Sequence, residues 1–153
     1  MKTLVLAGGG TGGHIYPAIA IAQAFKKQHP GSKIVFVGTP RGLENKIIPR
    51  EGFPLELIRI GALNNVSLVE RLKTLFLLPF ALLQAFWIIL KLRPDYVVGV
   101  GGYASGPMTL ASCLMFRKTF LFEPNSYPGL TNRWLAPFVR KAFVNFEATK
   151  KYF

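Results

Sequence analysis

Lys2-Thr3-Leu4-Val5-Leu6-Ala7-Gly8-Gly9-Gly10-Thr11-Gly12-Gly13-His14-Ile15 is the stretch on which the fold turns. Lys2–Ala7 is a strand-sized apolar run that enters the glycine turn Gly8–Gly13. Ile15–His29 then sets Ile15, Ile19, Ala22 and Phe25 at helical spacing. Pro17 is expected in the first turn of that helix, where a missing N–H costs nothing. A strand, a glycine turn and a helix in this order make a cradle for phosphate. Glycine lets a ligand approach the backbone, and the free N–H groups and dipole of the helix start attract anions.

Outward from this stretch the same alternation continues. Strands are expected at Lys33–Val37, Leu55–Ile60, Asp95–Val100, Lys118–Phe122 and Lys141–Phe146. Helices are expected at Gly42–Arg50, Gly106–Phe116 and Leu130–Ala136, and Thr149–Phe153 reads as the start of another. Such βαβ units imply an α/β domain with a mostly parallel sheet covered on both faces. Ligands of these sheets bind beyond the carboxyl ends of the strands. Three polar or glycine-rich loops fall there: Gly8–His14, Gly101–Ser105 and Glu123–Asn125.

The chain of 153 residues suits one domain with a real core, and half of it is hydrophobic. Nineteen Lys and Arg oppose seven acids, a formal charge of +12, which favours an anionic partner. The basic residues are dispersed and form no arginine-rich arm, zinc-finger spacing or helix-turn-helix signature, so nucleic acid is not the expected partner. Cys113 reads as a buried, inert thiol. No charged-then-apolar leader opens the chain, so a cytoplasmic protein is expected. The only aspartate is Asp95, which leaves no paired-aspartate site for magnesium, and neither a metal nor a cofactor is expected.

Two common phosphate sites are disfavoured. A nicotinamide dinucleotide site needs an acid near the end of the second strand to bind the ribose. Here that position reads Val37-Gly38-Thr39-Pro40-Arg41, and the nearest acid, Glu44, falls within the following helical segment. A P-loop is excluded because His14, not Lys and Ser or Thr, follows Gly13. His14 stands at the mouth of a helix, where the dipole favours the neutral ring that a general base needs. A capping or packing role for it remains the alternative.

Gly8-Gly9-Gly10-Thr11-Gly12-Gly13-His14-Ile15-Tyr16-Pro17-Ala18 resembles the opening signature of the MurG family of N-acetylglucosaminyltransferases. Gly101-Gly102-Tyr103-Ala104-Ser105-Gly106-Pro107 is similar to that family's second glycine loop. Glu123-Pro124-Asn125-Ser126-Tyr127-Pro128-Gly129-Leu130-Thr131-Asn132-Arg133-Trp134-Leu135-Ala136 is similar to a third motif. The family's His-Glu-Gln-Asn appears here as Phe122-Glu123-Pro124-Asn125, which keeps the acid and the asparagine.

The resemblance implies the Rossmann-like N-terminal half of a glycosyltransferase B fold, residues 1–153, on the acceptor and membrane side. The C-terminal half that holds the donor sugar nucleotide would lie outside this chain. It implies inverting transfer of N-acetylglucosamine from UDP to undecaprenyl-pyrophosphoryl-muramoyl-pentapeptide, making lipid II for peptidoglycan at the cytoplasmic face of the bacterial membrane. By resemblance His14 is the first choice for the base and Glu123 the second. Gly12 and Gly13 would hold the acceptor pyrophosphate, and Thr11, Tyr103, Ser105, Asn125 and Asn132 would line the cleft. The rival expectation is a non-catalytic, membrane-recruiting acceptor subunit of a split glycosyltransferase.

The segment Leu75–Leu90 is apolar nearly all round, with Gln84 its only polar side chain. Phe76, Phe80, Leu83, Trp87 and Leu90 fall on one helical face, which is expected to contact a membrane. Sixteen residues give only about 24 Å, and Pro79 is expected to interrupt any helix, so docking rather than spanning is expected. Arg71, Lys73, Lys91 and Arg93 flank the segment and suit an anionic surface.

Overall fold

Period-two alternation builds the sheet. In β1 (Thr3–Gly8), Leu4 and Leu6 pack into one layer while Val5 and Ala7 pack into the other. β2 (Lys33–Gly38) divides in the same way, Ile34 and Phe36 against Val35 and Val37. Both faces are therefore buried, as a parallel sheet requires. Each fully buried Leu or Ile contributes about 1.5–3 kcal/mol.

The computed structural model describes all 153 residues. After β1 come α1 (Gly12–Gln28), β2, α2 (Glu44–Arg50), β3 (Leu55–Leu57) and α3 (Leu68–Leu92). Then follow β4 (Tyr96–Gly101), α4 (Ser105–Leu114), β5 (Lys118–Glu123), α5 (Leu130–Leu135) and β6 (Lys141–Val144). The six strands lie in the order β3-β2-β1-β4-β5-β6, and every pair is parallel. α1 and α2 cover the face of Leu4 and Leu6, whereas α3 and α4 cover the face of Val5 and Ala7. At the foot of the central pair the Thr3 N–H donates to Asp95 Oδ2 (2.8 Å), and the Asp95 N–H donates to the Thr3 carbonyl (2.9 Å).

Several expected boundaries change. α1 begins at Gly12, so Pro17 is its sixth residue and not part of the first turn. The glycines adopt helical conformation themselves, and Pro17 leaves the Gly13 carbonyl without its usual donor. β3 pairs only through Leu57; Ile58 makes one more bond, to the Gly38 carbonyl, and the chain then leaves the sheet. The expected terminal helix is a 3₁₀ turn, Glu147–Tyr152.

The largest correction concerns α3. It runs unbroken through Pro79 for 25 residues, about 37 Å, so the length argument against spanning does not hold. Pro79 is exposed, where water can serve the freed Leu75 carbonyl, and both flanks are held. Thr74 donates to the Ala62 carbonyl (2.9 Å), and Ala81, Ala85, Ile88 and Ile89 pack on the sheet. Ser67 caps the start by accepting from the Glu70 N–H, and Arg93 ends the helix in the left-handed conformation, followed by Pro94. What argues against spanning is this buried stripe, which belongs to the core of the domain.

Candidate functional site

The strand order reverses direction at β1 and β4, which are neighbours in the sheet while their crossovers run to opposite faces. A crevice must open there, beyond the strand ends. Both glycine loops sit in it, backbone against backbone. The Gly9 N–H donates to the Gly101 carbonyl (3.2 Å), and Gly102 has no room for a Cβ because the Gly9 backbone fills that space.

This contact places His14. Its Nδ1 lies 2.9 Å from the Val100 carbonyl, which can only accept, so Nδ1 carries the proton. In the neutral ring Nε2 is then the free base. The ring lies over Gly101, whose φ of +94° is a conformation that suits glycine. His14 lines a cleft of about 270 Å³ with Gly102, Tyr103 and Asn132; Thr74 and Leu78 of α3 form its far wall. A second hollow, beside Leu83 and Trp87, shares no lining residue with it.

The structure brings His14, Tyr103 and Asn132 together, but not every expected residue. Ser105 is fully buried and its hydroxyl points at Gly99 inside the domain, so its side chain does not line the cleft. Thr11, Gly12, Gly13 and Asn125 lie outside the cleft lining. Gly12 and Gly13, the first two helical residues, have N–H groups without an intrahelical partner.

Glu123, the expected second choice for the base, is placed otherwise. It is 1% exposed, and both carboxylate oxygens are occupied. Oε1 accepts from the Asn125 N–H and Nδ2 (2.9 and 3.0 Å), and Oε2 from the Gly129 N–H and Asn132 Nδ2 (3.0 and 2.9 Å). A carboxylate so occupied has no lone pair facing an incoming hydroxyl. Glu123 instead folds the loop that presents Asn132. Because Nδ2 of Asn132 is committed to Glu123, its Oδ1 is fixed as well, buried at the cleft wall without a donor.

One residue reads in the sequence only as an acid too far along to bind a ribose, and its role was missed. Glu44 turns back from α2 into the first glycine loop, where Oε2 accepts from the Gly10 N–H (2.8 Å). Oε1 accepts from the Thr39 N–H (2.8 Å) and hydroxyl (3.2 Å). The only sequence signal was the ring of glycines around it, Gly9, Gly38 and Gly42, none of which leaves room for a Cβ beside the Glu44 side chain.

A parallel α/β sheet with two glycine loops and a histidine at its switch point defines a Rossmann-like domain whose ligand crevice lies beyond the strand ends. The chain belongs to glycosyltransferase family 28, whose N-terminal domain matches residues 4–144. A UDP-N-acetylglucosamine–N-acetylmuramyl-(pentapeptide) pyrophosphoryl-undecaprenol N-acetylglucosamine transferase of Bdellovibrio bacteriovorus is 54% identical over 151 residues. The match covers 99% of this chain and 42% of that protein. The enzyme of the same name from Myxococcus xanthus is 45% identical, over all of this chain and 40% of its own length. The crystal structure of Acinetobacter baumannii MurG superposes with a TM-score of 0.85 at 30% identity, across 97% of this chain and 43% of that one. The MurG resemblance read from the three motifs, and the Rossmann-like half of a glycosyltransferase B fold, are thus borne out. A UDP-N-acetylglucosamine 2-epimerase, at 12% identity and a TM-score of 0.68, shares the fold alone; it covers 99% of this chain and 44% of that one. The chain spans about two fifths of the length of the curated relatives it matches.

Proposed function

We propose that this chain is the acceptor-side half of an inverting N-acetylglucosaminyltransferase, acting with a C-terminal half that binds UDP-N-acetylglucosamine. The acceptor is a muramoyl-pentapeptide carried on undecaprenyl pyrophosphate, and the product is the lipid II disaccharide. The observation that carries this reading is His14, whose Nδ1 is held on the Val100 carbonyl so that Nε2 is left as the base in the cleft. A nitrogen so placed suits a sugar hydroxyl that must be deprotonated.

In this mechanism Asn132, held by Glu123, shapes the cleft wall beside the acceptor sugar. His14 Nε2 takes the proton of the 4-hydroxyl as its oxygen attacks the anomeric carbon of N-acetylglucosamine. The bond from that carbon to the UDP oxygen breaks on the opposite face, and UDP departs with the electron pair. The Val100 carbonyl, on Nδ1–H, steadies the imidazolium that forms. The N–H groups of Gly12 and Gly13, at the positive end of α1, hold the acceptor pyrophosphate outside the cleft proper.

The domain works as a peripheral protein at the cytoplasmic face of the membrane. Phe76 (72% exposed), Phe80, Leu83 and Trp87 (67%) form an outward apolar stripe on α3. Thr74 and Leu78 of the same helix line the cleft, so the lipid tail and the reacting sugar are served by opposite sides of one element. That exposed stripe also favours the second reading, a membrane-recruiting subunit without catalysis of its own.

The test is a transfer assay with labelled UDP-N-acetylglucosamine and a lipid-linked acceptor, with and without the C-terminal half. Transfer only when both halves are present supports the proposal. Transfer that survives His14→Ala without loss would favour the recruiting reading.

A further inference from the structure

We infer that the Glu44 carboxylate is a built-in anion that fills the phosphate seat of the first glycine loop and bars free phosphate groups from it. In a strand, glycine loop and helix unit the loop N–H groups ordinarily meet a ligand phosphate oxygen. Here the Gly10 N–H meets Glu44 Oε2 at 2.8 Å. The other oxygen is held by the N–H and hydroxyl of Thr39, at the end of β2, where a dinucleotide fold would place its ribose-binding acid. The strand end that would recognise a nucleotide instead holds a substitute for its phosphate.

The seat is built for this occupant. Glu44 is 1% exposed, and Gly9, Gly38 and Gly42 each lack room for a Cβ because its side chain is there. No cation pairs with it: the ion pairs of the chain are Lys91–Glu56 and Lys150–Glu147. Holding an anion by N–H and hydroxyl donors alone is how glycine loops hold phosphate. With this seat taken, an entering phosphate group meets only the outer N–H groups of Gly12 and Gly13. The inference stands whether or not the chain takes part in sugar transfer.

The experiment is a titration of the chain, of Glu44→Ala and of Glu44→Gln with inorganic phosphate, against chloride at equal ionic strength. Thermal midpoints and the Gly10 amide resonance are followed. Glu44→Ala is expected to melt lower and to recover by about 3–6 °C at saturating phosphate, with a shifted Gly10 amide. The parent and Glu44→Gln, whose seats remain filled, are expected to show no such gain with phosphate and no Gly10 shift, although the glutamine amide, which faces N–H donors, lowers the Glu44→Gln midpoint in itself. Phosphate binding at Gly10 in the parent overturns the inference, as does an equal gain in Glu44→Gln. So does a Glu44→Ala chain that phosphate neither stabilises nor returns to the folded state.

Discussion

Gly101 holds open the space that the His14 ring occupies: a Cβ there would stand 2.6 Å from His14 Cε1. Gly101→Ala should therefore act as a mutation of the histidine made from the other side of the cleft. The φ of +94° adds strain, for a stability loss of about 1–3 kcal/mol. With the proposed C-terminal half present, kcat should fall along with it. Thermal denaturation and steady-state kinetics check both; unchanged kcat would mean that the ring position does not matter.

His14→Ala in the complete enzyme should lower kcat by roughly 10²–10⁴-fold and leave the donor KM nearly unchanged, as expected for a group acting in the transition state. A loss of tenfold or less would remove the base role from His14.

Glu123→Gln should separate a positioning carboxylate from a base. The amide would turn a donor toward N–H groups that now donate to Glu123, at a cost of about 2–4 kcal/mol. The melting midpoint should drop and the Gly129 and Asn132 resonances should move. A base role predicts instead lost turnover with an unchanged midpoint.

Membrane docking by α3 is checked by sedimentation with anionic and neutral vesicles. The parent should bind anionic vesicles, and a Phe80→Ser, Trp87→Ser double variant should lose most of that binding. Both side chains are more than half exposed, so circular dichroism should report an unchanged fold. Equal sedimentation of the two proteins would place the contact elsewhere.

Cys113 is half-buried, not buried as expected, and this partial burial pushes its thiol above its ordinary pKa, with a hydrogen bond to Thr119 opposing in part. A raised pKa leaves less thiolate at any given pH, so alkylation by iodoacetamide near pH 7.5 should be slower than for a free thiol. The rate should keep climbing as pH approaches 9. Alkylation as fast as that of glutathione would refute the inert reading.

The sheet and its loops were legible because each rests on local pattern. Alternation along Leu4–Ala7 and Ile34–Val37 fixes two-sided burial, and the glycines mark where strands stop. Residues whose role depends on distant chain were not legible. Glu44 meets Gly10 across 34 positions, and no periodicity forecasts a helical acid turning back into a loop. Ser105 opens α4, and whether a first helical residue faces the cleft or the sheet depends on how the helix packs on Gly99. Pro79 misled because a rule about one lost hydrogen bond takes no account of the contacts of Thr74 and Ala81 on either side of it.

The central place of β1 sets a timetable for the newborn chain. Its partner β4 arrives only after about ninety further residues, and the Thr3–Asp95 bond closes a loop of |i−j| = 92. Until then β1, β2 and β3 can assemble only as a half-sheet, with one side of β1 unpaired and the face of Val5 and Val35 still without α4. Closing that loop costs about 4 kcal/mol in chain entropy before the central pair repays it. During synthesis on the ribosome the bare edge of β1 is therefore the segment most exposed to wrong partners, and the place where a chaperone would have most to protect.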